Sequence, residues 1–252
     1  MAQRRCRSQR RRRGRFSGLY RIFAILAAMA AVIAACVVFF RVNSVTVQGN
    51  TRYTEDEVIA VSGIVSGDNL IALSKGKIAS TIRMQLPYVE SVSIRRKLPD
   101  SVEITVRERV AVASVGSESG RWLISSQGKL LEEAADQPVL PVVGLLAQSP
   151  YAGGNLQVAE ENEHTRENVL ALLVALEEQG MLADSTLLDC YYSTYMLLYW
   201  DIYTIKLPRG GDYQYLLRFV KSALSSADMP QNQPGTLDLT VKEGELYFKP
   251  TH

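Results

Sequence analysis

From Ile22 to Phe40 the chain is an unbroken run of 19 uncharged, mostly apolar residues. At about 1.5 Å of rise per residue such a run makes a helix of roughly 28 Å, close to the hydrocarbon thickness of a bilayer. The pattern changes after Arg41. Val42, Ser44, Thr46 and Gln48 alternate with Asn43, Val45 and Val47 and lead into the turn Gly49-Asn50, which predicts a strand of about seven residues. Thr54-Glu55-Asp56-Glu57 has the spacing of a capping box, so a short helix should start there and end near Gly63. Residues 64–73 read as a loop whose Leu70, Ile71 and Leu73 cover the core. A second helix is expected from Ser74 to Leu86, with Ile78, Ile82 and Leu86 on one stripe and Pro87 stopping it. Tyr88 to Arg96 and Val102 to Arg109 then alternate around a proline-initiated turn, with Val89, Val92 and Ile94 facing Val102, Ile104 and Val106. The order strand, helix, helix, strand, strand predicts an α+β unit with two helices on one face of a three-stranded sheet.

Beyond it the pattern is richer in strands. Ser114, Gly116, Ser117, Ser119 and Gly120 make Val110 to Gly120 the most flexible candidate boundary. A hairpin is expected from Trp122-Leu123-Ile124 and Lys129-Leu130-Leu131, and an apolar run at Leu140 to Gly144. Val169, Leu172, Leu173 and Leu176 predict a helix ending at Gly180. Strands follow at Leu187 to Tyr192, Tyr195 to Tyr199 and Ile202 to Leu207, then a helix after Asp212 that buries Leu216, Phe219, Val220 and Ala223. Leu237, Leu239 and Val241 alternate, Glu243-Gly244 is a turn, and Glu245 to Lys249 is the last strand. The resulting division is a basic tail over 1–21, a transmembrane helix over 22–40, a first small unit over 42–113, and a larger mixed β-domain with flanking helices over 114–252.

Charge gives the apolar run a direction. The chain holds 28 basic and 26 acidic residues, yet residues 1–41 carry ten arginines and no acid. Arg10, Arg11, Arg12, Arg13, Arg15 and Arg21 are the clearest orientation signals: the tail should stay cytoplasmic, and everything after Arg41 should lie outside. Membrane lipid is therefore an expected partner. A secretory signal peptide competes for the same segment, but Val37, Val38, Phe39 and Phe40 prolong its apolar core. Ile33-Ala34-Ala35-Cys36 also reads as a lipoprotein cleavage box with Cys36 acylated, a second competing reading. Residues 42–252 carry 18 basic against 26 acidic residues, which argues against nucleic acid as a ligand, because phosphate binding needs clustered positive charge. Cys6, Cys36 and Cys190 fall in tail, apolar run and exterior, so no disulfide is expected in the exterior part.

Candidate chemistry is sparse. Glu163, His164 and Glu167 set an imidazole and carboxylates within one helical turn, but a solvated acidic first turn explains them and no second ligand cluster appears. Gly116-Ser117-Glu118-Ser119-Gly120 misplaces the serine of a hydrolase elbow. Cys190 has no nearby histidine and reads as a buried thiol. No catalytic residue, cofactor, metal site or small-molecule substrate is therefore expected. Tyr191, Tyr192, Tyr195, Tyr199, Tyr203, Tyr213 and Tyr215 form a dense set, expected mainly in core packing.

Residues 40–64 and 86–113 resemble a POTRA domain set directly after a membrane helix, the arrangement of the FtsQ/DivIB bacterial cell-division proteins. Val92-Ser93-Ile94-Arg95-Arg96, Leu98 to Val106 and Glu108-Arg109 carry the likeness most specifically, and it weakens beyond residue 113, where Ser125-Ser126 replaces an acid expected before Gly128. The resemblance implies a non-enzymatic scaffold of the divisome, enriched at the septum, that binds FtsB/DivIC-like and FtsL-like single-pass proteins and helps control septal peptidoglycan synthesis. It also implies docking by strand addition. An unpaired edge supplies backbone donors and acceptors, and Glu245, Leu246, Tyr247, Phe248 and Lys249 are the candidate edge, ended by Pro250. The alternative is a membrane-anchored or lipoprotein cell-wall enzyme with an unrecognised site.

Overall fold

The structure is a computed structural model that describes residues 16–134, 137–226, 233–242 and 244–251. It opens on helix α1 (Phe16–Phe39), which begins earlier than the apolar run and stops one residue before its end. The window Leu19–Cys36 within it, apolar apart from Arg21, is long and hydrophobic enough to cross a membrane, and none of it is buried against the rest of the chain. Arg21 lies in this helix, whereas Arg10, Arg11, Arg12, Arg13 and Arg15 fall outside the described residues.

The first unit follows the expected order: strand β1 (Ser44–Gln48), helices α2 (Glu55–Ser62) and α3 (Lys75–Gln85), then strands β2 (Val89–Lys97) and β3 (Ser101–Glu108). β3 is the central strand, parallel to β1 and antiparallel to β2. Both capping-box bonds form: Glu57 N–H donates to Thr54 Oγ1 at 3.3 Å, and Thr54 N–H donates to Glu57 Oε2 at 2.7 Å. The core gathers Val58, Leu70, Ile78, Ile82, Ile94 and Ile104. Each such side chain removed from water contributes about 1.5–3 kcal/mol. Two expectations fail here. β1 has five residues rather than about seven, because Val42 is held by the 64–73 loop instead of β3. Ile71 is 51% exposed, since the loop turns Leu70 inward and Ile71 out.

Among the described residues the larger domain is a nine-stranded sheet in the order β12-β11-β10-β9-β8-β7-β4-β5-β6. Its strands are β4 (Ala113–Ser117), β5 (Gly120–Ile124), β6 (Leu130–Glu133), β7 (Leu140–Ala147), β8 (Ser185–Asp189), β9 (Tyr195–Trp200), β10 (Tyr203–Pro208), β11 (Gly235–Asp238) and β12 (Tyr247–Pro250). Helices α4 (Glu163–Gln179) and α5 (Tyr213–Leu224) share a continuous core with it. Val169, Leu172, Leu173 and Leu176 of α4 are fully buried there, as their spacing predicts.

The stretch expected to be flexible is largely strand. β4 stands between β5 and β7, with Ala113, Ser114 and Val115 buried, so the change of unit falls at Arg109 to Val112. Small residues that read as a loop here allow close strand neighbours. A separate cluster of Tyr88, Leu123 and Leu131, flanked by Tyr53 and Ala111, joins the two units. Around it Arg52 and Tyr88 both reach Glu132, at 2.7 and 2.9 Å, and the Arg52 guanidinium lies 4.0 Å over the Tyr88 ring.

Glu108, at the end of β3, holds the 51–53 turn in place. Its carboxylate accepts the backbone N–H groups of Thr51, Arg52 and Tyr53 at 3.0, 2.9 and 3.3 Å. Burial alone would push its pKa up, but these donors outweigh burial and hold it below the usual carboxylate value. A depressed folded-state pKa contributes stability above the ordinary carboxylate pKa and loses it as pH falls through the folded one. Glu108→Gln should therefore lower the urea midpoint near neutral pH. The gap from wild type should narrow between about pH 5 and about pH 3, and a gap that widens on acidification would refute this role.

Candidate functional site

β12 lies at one end of the nine-stranded sheet and pairs with β11 alone among the described strands. The register sets Phe248 opposite Leu237 and Pro250 opposite Gly235, while Thr251 N–H donates to Pro234 O at 3.1 Å. Antiparallel pairs alternate between hydrogen-bonded and non-bonded. Lys249 and Tyr247 thus bond inward to β11, and the N–H and C=O of Phe248 face the free edge. Pro250 offers a carbonyl there and no donor.

This corrects the expected boundaries of the last strand. It spans Tyr247–Pro250, two residues further on than anticipated at its start, with Glu245 and Leu246 before it. Pro250 is accommodated because its missing N–H falls on the unpaired side. The side-chain alternation holds: Leu246 and Phe248 pack against the core, and Tyr247 is 44% exposed. The Tyr247 hydroxyl donates to Glu245 at 2.6 Å, and Glu245 also pairs with Lys242. The hydrogen bond to Glu245 pushes the phenol pKa up, while Lys242 and then Tyr247 hold the Glu245 carboxyl below its usual range. Val241, expected to continue the apolar face of β11, is 61% exposed, because β11 ends at Asp238 and Asp238 turns the chain by bonding Thr240. Of the anticipated turn Glu243-Gly244, Glu243 lies outside the described residues.

The sheet face away from α4 and α5 continues from this edge. In register with Tyr247 it carries Asp238, Lys206 and Leu197. Lys206 pairs with Asp238 at 2.9 Å and lies 4.5 Å over the Tyr195 ring, which stacks on Tyr192 at 4.5 Å. Burial opposes ionisation of Asp238, but its bonds to Thr240 and Lys206 prevail and lower its pKa. The tyrosine set divides against expectation: Tyr203 and Tyr213 are buried, Tyr195 is half-buried, and Tyr191, Tyr192, Tyr199 and Tyr215 are exposed. The reason is that β8 ends at Asp189, so Tyr191 and Tyr192 belong to a loop rather than to a strand.

The residues weighed for catalysis are not assembled with one another. His164 is exposed with Glu167 at 3.4 Å, and no group of three or more metal-ligating side chains forms among the described residues. Cys190, just past β8, is buried, and burial pushes its thiol up to about 12, Arg209 opposing only in part. Asn168 shows what a buried polar group does here. It accepts from the Tyr213 hydroxyl at 2.7 Å and from Gly210 N–H at 2.6 Å, tying α4 to the β10–α5 turn. A polar residue on an apolar helix face was the one sequence signal for it.

The description "POTRA domain, FtsQ-type" matches residues 40–109, the segment folded as β1 to β3 with α2 and α3. A cell division protein DivIB of Clostridium acetobutylicum is 37% identical over 94 residues, covering 37% of this chain and 37% of that protein. A cell division protein FtsQ of Corynebacterium glutamicum is 31% identical over 137 residues, 54% of this chain and 59% of that protein. The matched region thus spans less than two thirds of either relative. A DivIB of Clostridium botulinum strain Loch Maree is 26% identical over 242 residues, 95% and 93% of the two chains. An apolar N-terminal helix, an FtsQ-type POTRA fold immediately after it and a larger β-rich domain, together with these likenesses, make this chain similar to the FtsQ and DivIB cell-division proteins.

Proposed function

We propose that the chain is a membrane-anchored, non-enzymatic scaffold of the bacterial divisome. In this reading α1 spans the cytoplasmic membrane with the arginine tail inside, and the two units lie outside at the septum. They capture FtsB/DivIC-like and FtsL-like single-pass partners and so help control septal peptidoglycan synthesis. The observation that carries the reading is the edge at β12: an outward N–H and C=O at Phe248, an exposed aromatic at Tyr247, and a donor removed at Pro250. Such an edge accepts one added strand in a limited register and resists extension into self-pairing. The competing reading, a membrane-anchored cell-wall enzyme, finds no support in the exposed His164 or the buried Cys190.

A photo-crosslinking residue in place of Tyr247, in dividing cells, should yield adducts with small single-pass division proteins. The same residue in place of Met84, on α3, should not. Adducts from Met84 alone would move the docking surface to the POTRA unit.

A further inference from the structure

The first unit is attached to α1 by backbone hydrogen bonds rather than by a free linker. Val42 N–H donates to Asp68 O and Gly67 N–H to Val42 O, both at 2.8 Å, and Leu70 N–H donates to Phe40 O at 2.9 Å. Arg41 bridges Asn69 in the same small ladder, and Phe40 packs against the POTRA core. The position of the 65–71 loop relative to the end of α1 is set by these bonds.

The next step rests on the reading that α1 spans a bilayer. Arg21 and Arg41 bracket the apolar run, and its length of roughly 28 Å fills the hydrocarbon layer. Arg41 then stands at the boundary with water, and Asn69 beside it. Ile71 follows Leu70, which is bonded to Phe40, so its Cα lies within about 10 Å of Phe40. The headgroup layer on each side of a bilayer is roughly 5–8 Å deep. Ile71 therefore sits at headgroup height, and Val65 is tied to the same level, its O accepting from Asp68 N–H at 3.1 Å while Asp68 O accepts from Val42 N–H. Ile71 and Val65 are 51% and 65% exposed; Leu98 on the β2–β3 turn, Met84 on α3 and Val110 are exposed too, but only Ile71 and Val65 lie in the loop bonded to the end of α1. The exposed Arg41, Lys75 and Lys77 flank this loop. Its one acid, Asp68, is half-buried and turned onto Val65 N–H at 2.9 Å.

We propose that the Val65–Ile71 loop is a second membrane contact. Val65 and Ile71 enter the outer leaflet of the same bilayer that α1 crosses, and Arg41, Lys75 and Lys77 face its lipid phosphates. The POTRA unit is then held by two points, which fixes the direction in which the β-domain projects.

The test uses the full chain with Cys6→Ser and Cys36→Ser, in nanodiscs of phosphatidylethanolamine and phosphatidylglycerol. An environment-sensitive fluorophore is attached at Val65→Cys, Ile71→Cys, Ala31→Cys or Met84→Cys. Met84 lies near the far end of α3, roughly 14 Å along its axis from Lys75, beside Gly153 of the larger domain. Labels at 65 and 71 should emit to the blue of the label at 84 and be quenched by lipids carrying a doxyl group, as the label at 31 is. If 31 is quenched but 65 and 71 behave like 84, the loop contact is overturned and the membrane anchor stands. If 31 is not quenched either, the anchor fails and this proposal falls with it.

Discussion

If the protein is the proposed scaffold, a chain lacking residues 244–252 should lose capture of a division partner while its POTRA unit stays folded and α1 stays in place. β12 supplies the free edge, so its removal takes away the outward backbone groups of Phe248 and the Tyr247 ring together. β11 becomes the new edge, but it carries Asp238 where Tyr247 stood in register and lacks the flanking carbonyl of Pro250. The expected loss is at least about 100-fold in affinity, near 3 kcal/mol, since both the ladder and an aromatic anchor go. The truncation also uncovers core contacts of Leu246 and Phe248. Tyr247→Ala isolates the anchor, because that side chain points away from the core. It should weaken capture about tenfold, with circular dichroism unchanged. Truncated chain that is folded and still binds at wild-type affinity would overturn the edge as the docking site.

The second large effect is on stability. Gly144 lies inside β7 with φ +81°, and a Cβ there would stand 2.6 Å from Tyr191 N and 2.7 Å from Cys190 C. Those are backbone atoms of the segment leaving β8, held by the bond from Cys190 N–H to Val143 O at 2.9 Å. They can move aside only by breaking the parallel pairing of β7 with β8 at the centre of the sheet. Gly144→Ala should thus cost about 3 kcal/mol or more, combining left-handed backbone strain with overlap. Gly180→Ala is the matched control: φ is +66° at the end of α4, and nothing lies within 4 Å of its Cβ position. It should cost only about 1–2 kcal/mol. Equal shifts in the urea midpoint for the two variants would show that the close approach at Gly144 contributes nothing.

Elements governed by short-range bonding were legible from residue order. Thr54 and Glu57 close their capping box within four residues, and the α4 stripe from Val169 to Leu176 carries its own periodicity. The hairpin of β2 and β3 pairs neighbours in sequence, so Val92 opposite Val106 and Ile94 opposite Ile104 could be named in advance, whereas a register shift between Val89 and Ser91 sets Val89 opposite Glu108, and Val102 stands opposite Arg96. The candidate edge was legible in kind, as a last strand with Leu246 and Phe248 inward and Tyr247 outward, because alternation alone assigns faces.

Tertiary structure decided what depends on distant partners. Ala113 to Ser117 is a strand between β5 and β7, buried over Ala113 to Val115, rather than a hinge, because neighbours from elsewhere in the chain satisfy its backbone and its small residues let them approach. Likewise the ladder to β11 extends β12 through Pro250, since the side on which a proline's missing donor falls is a matter of register. Tyr191, Tyr199 and Ile71 are exposed although their types suit a core, because none of the described helices and strands covers them. Residue order determined the α+β order of elements, the apolar first helix and the periodicity of each face. Which face is covered, which strand is central and which edge stays open arise from long-range packing and hydrogen bonding, where the partner residues lie tens of positions away and local pattern carries no information about them.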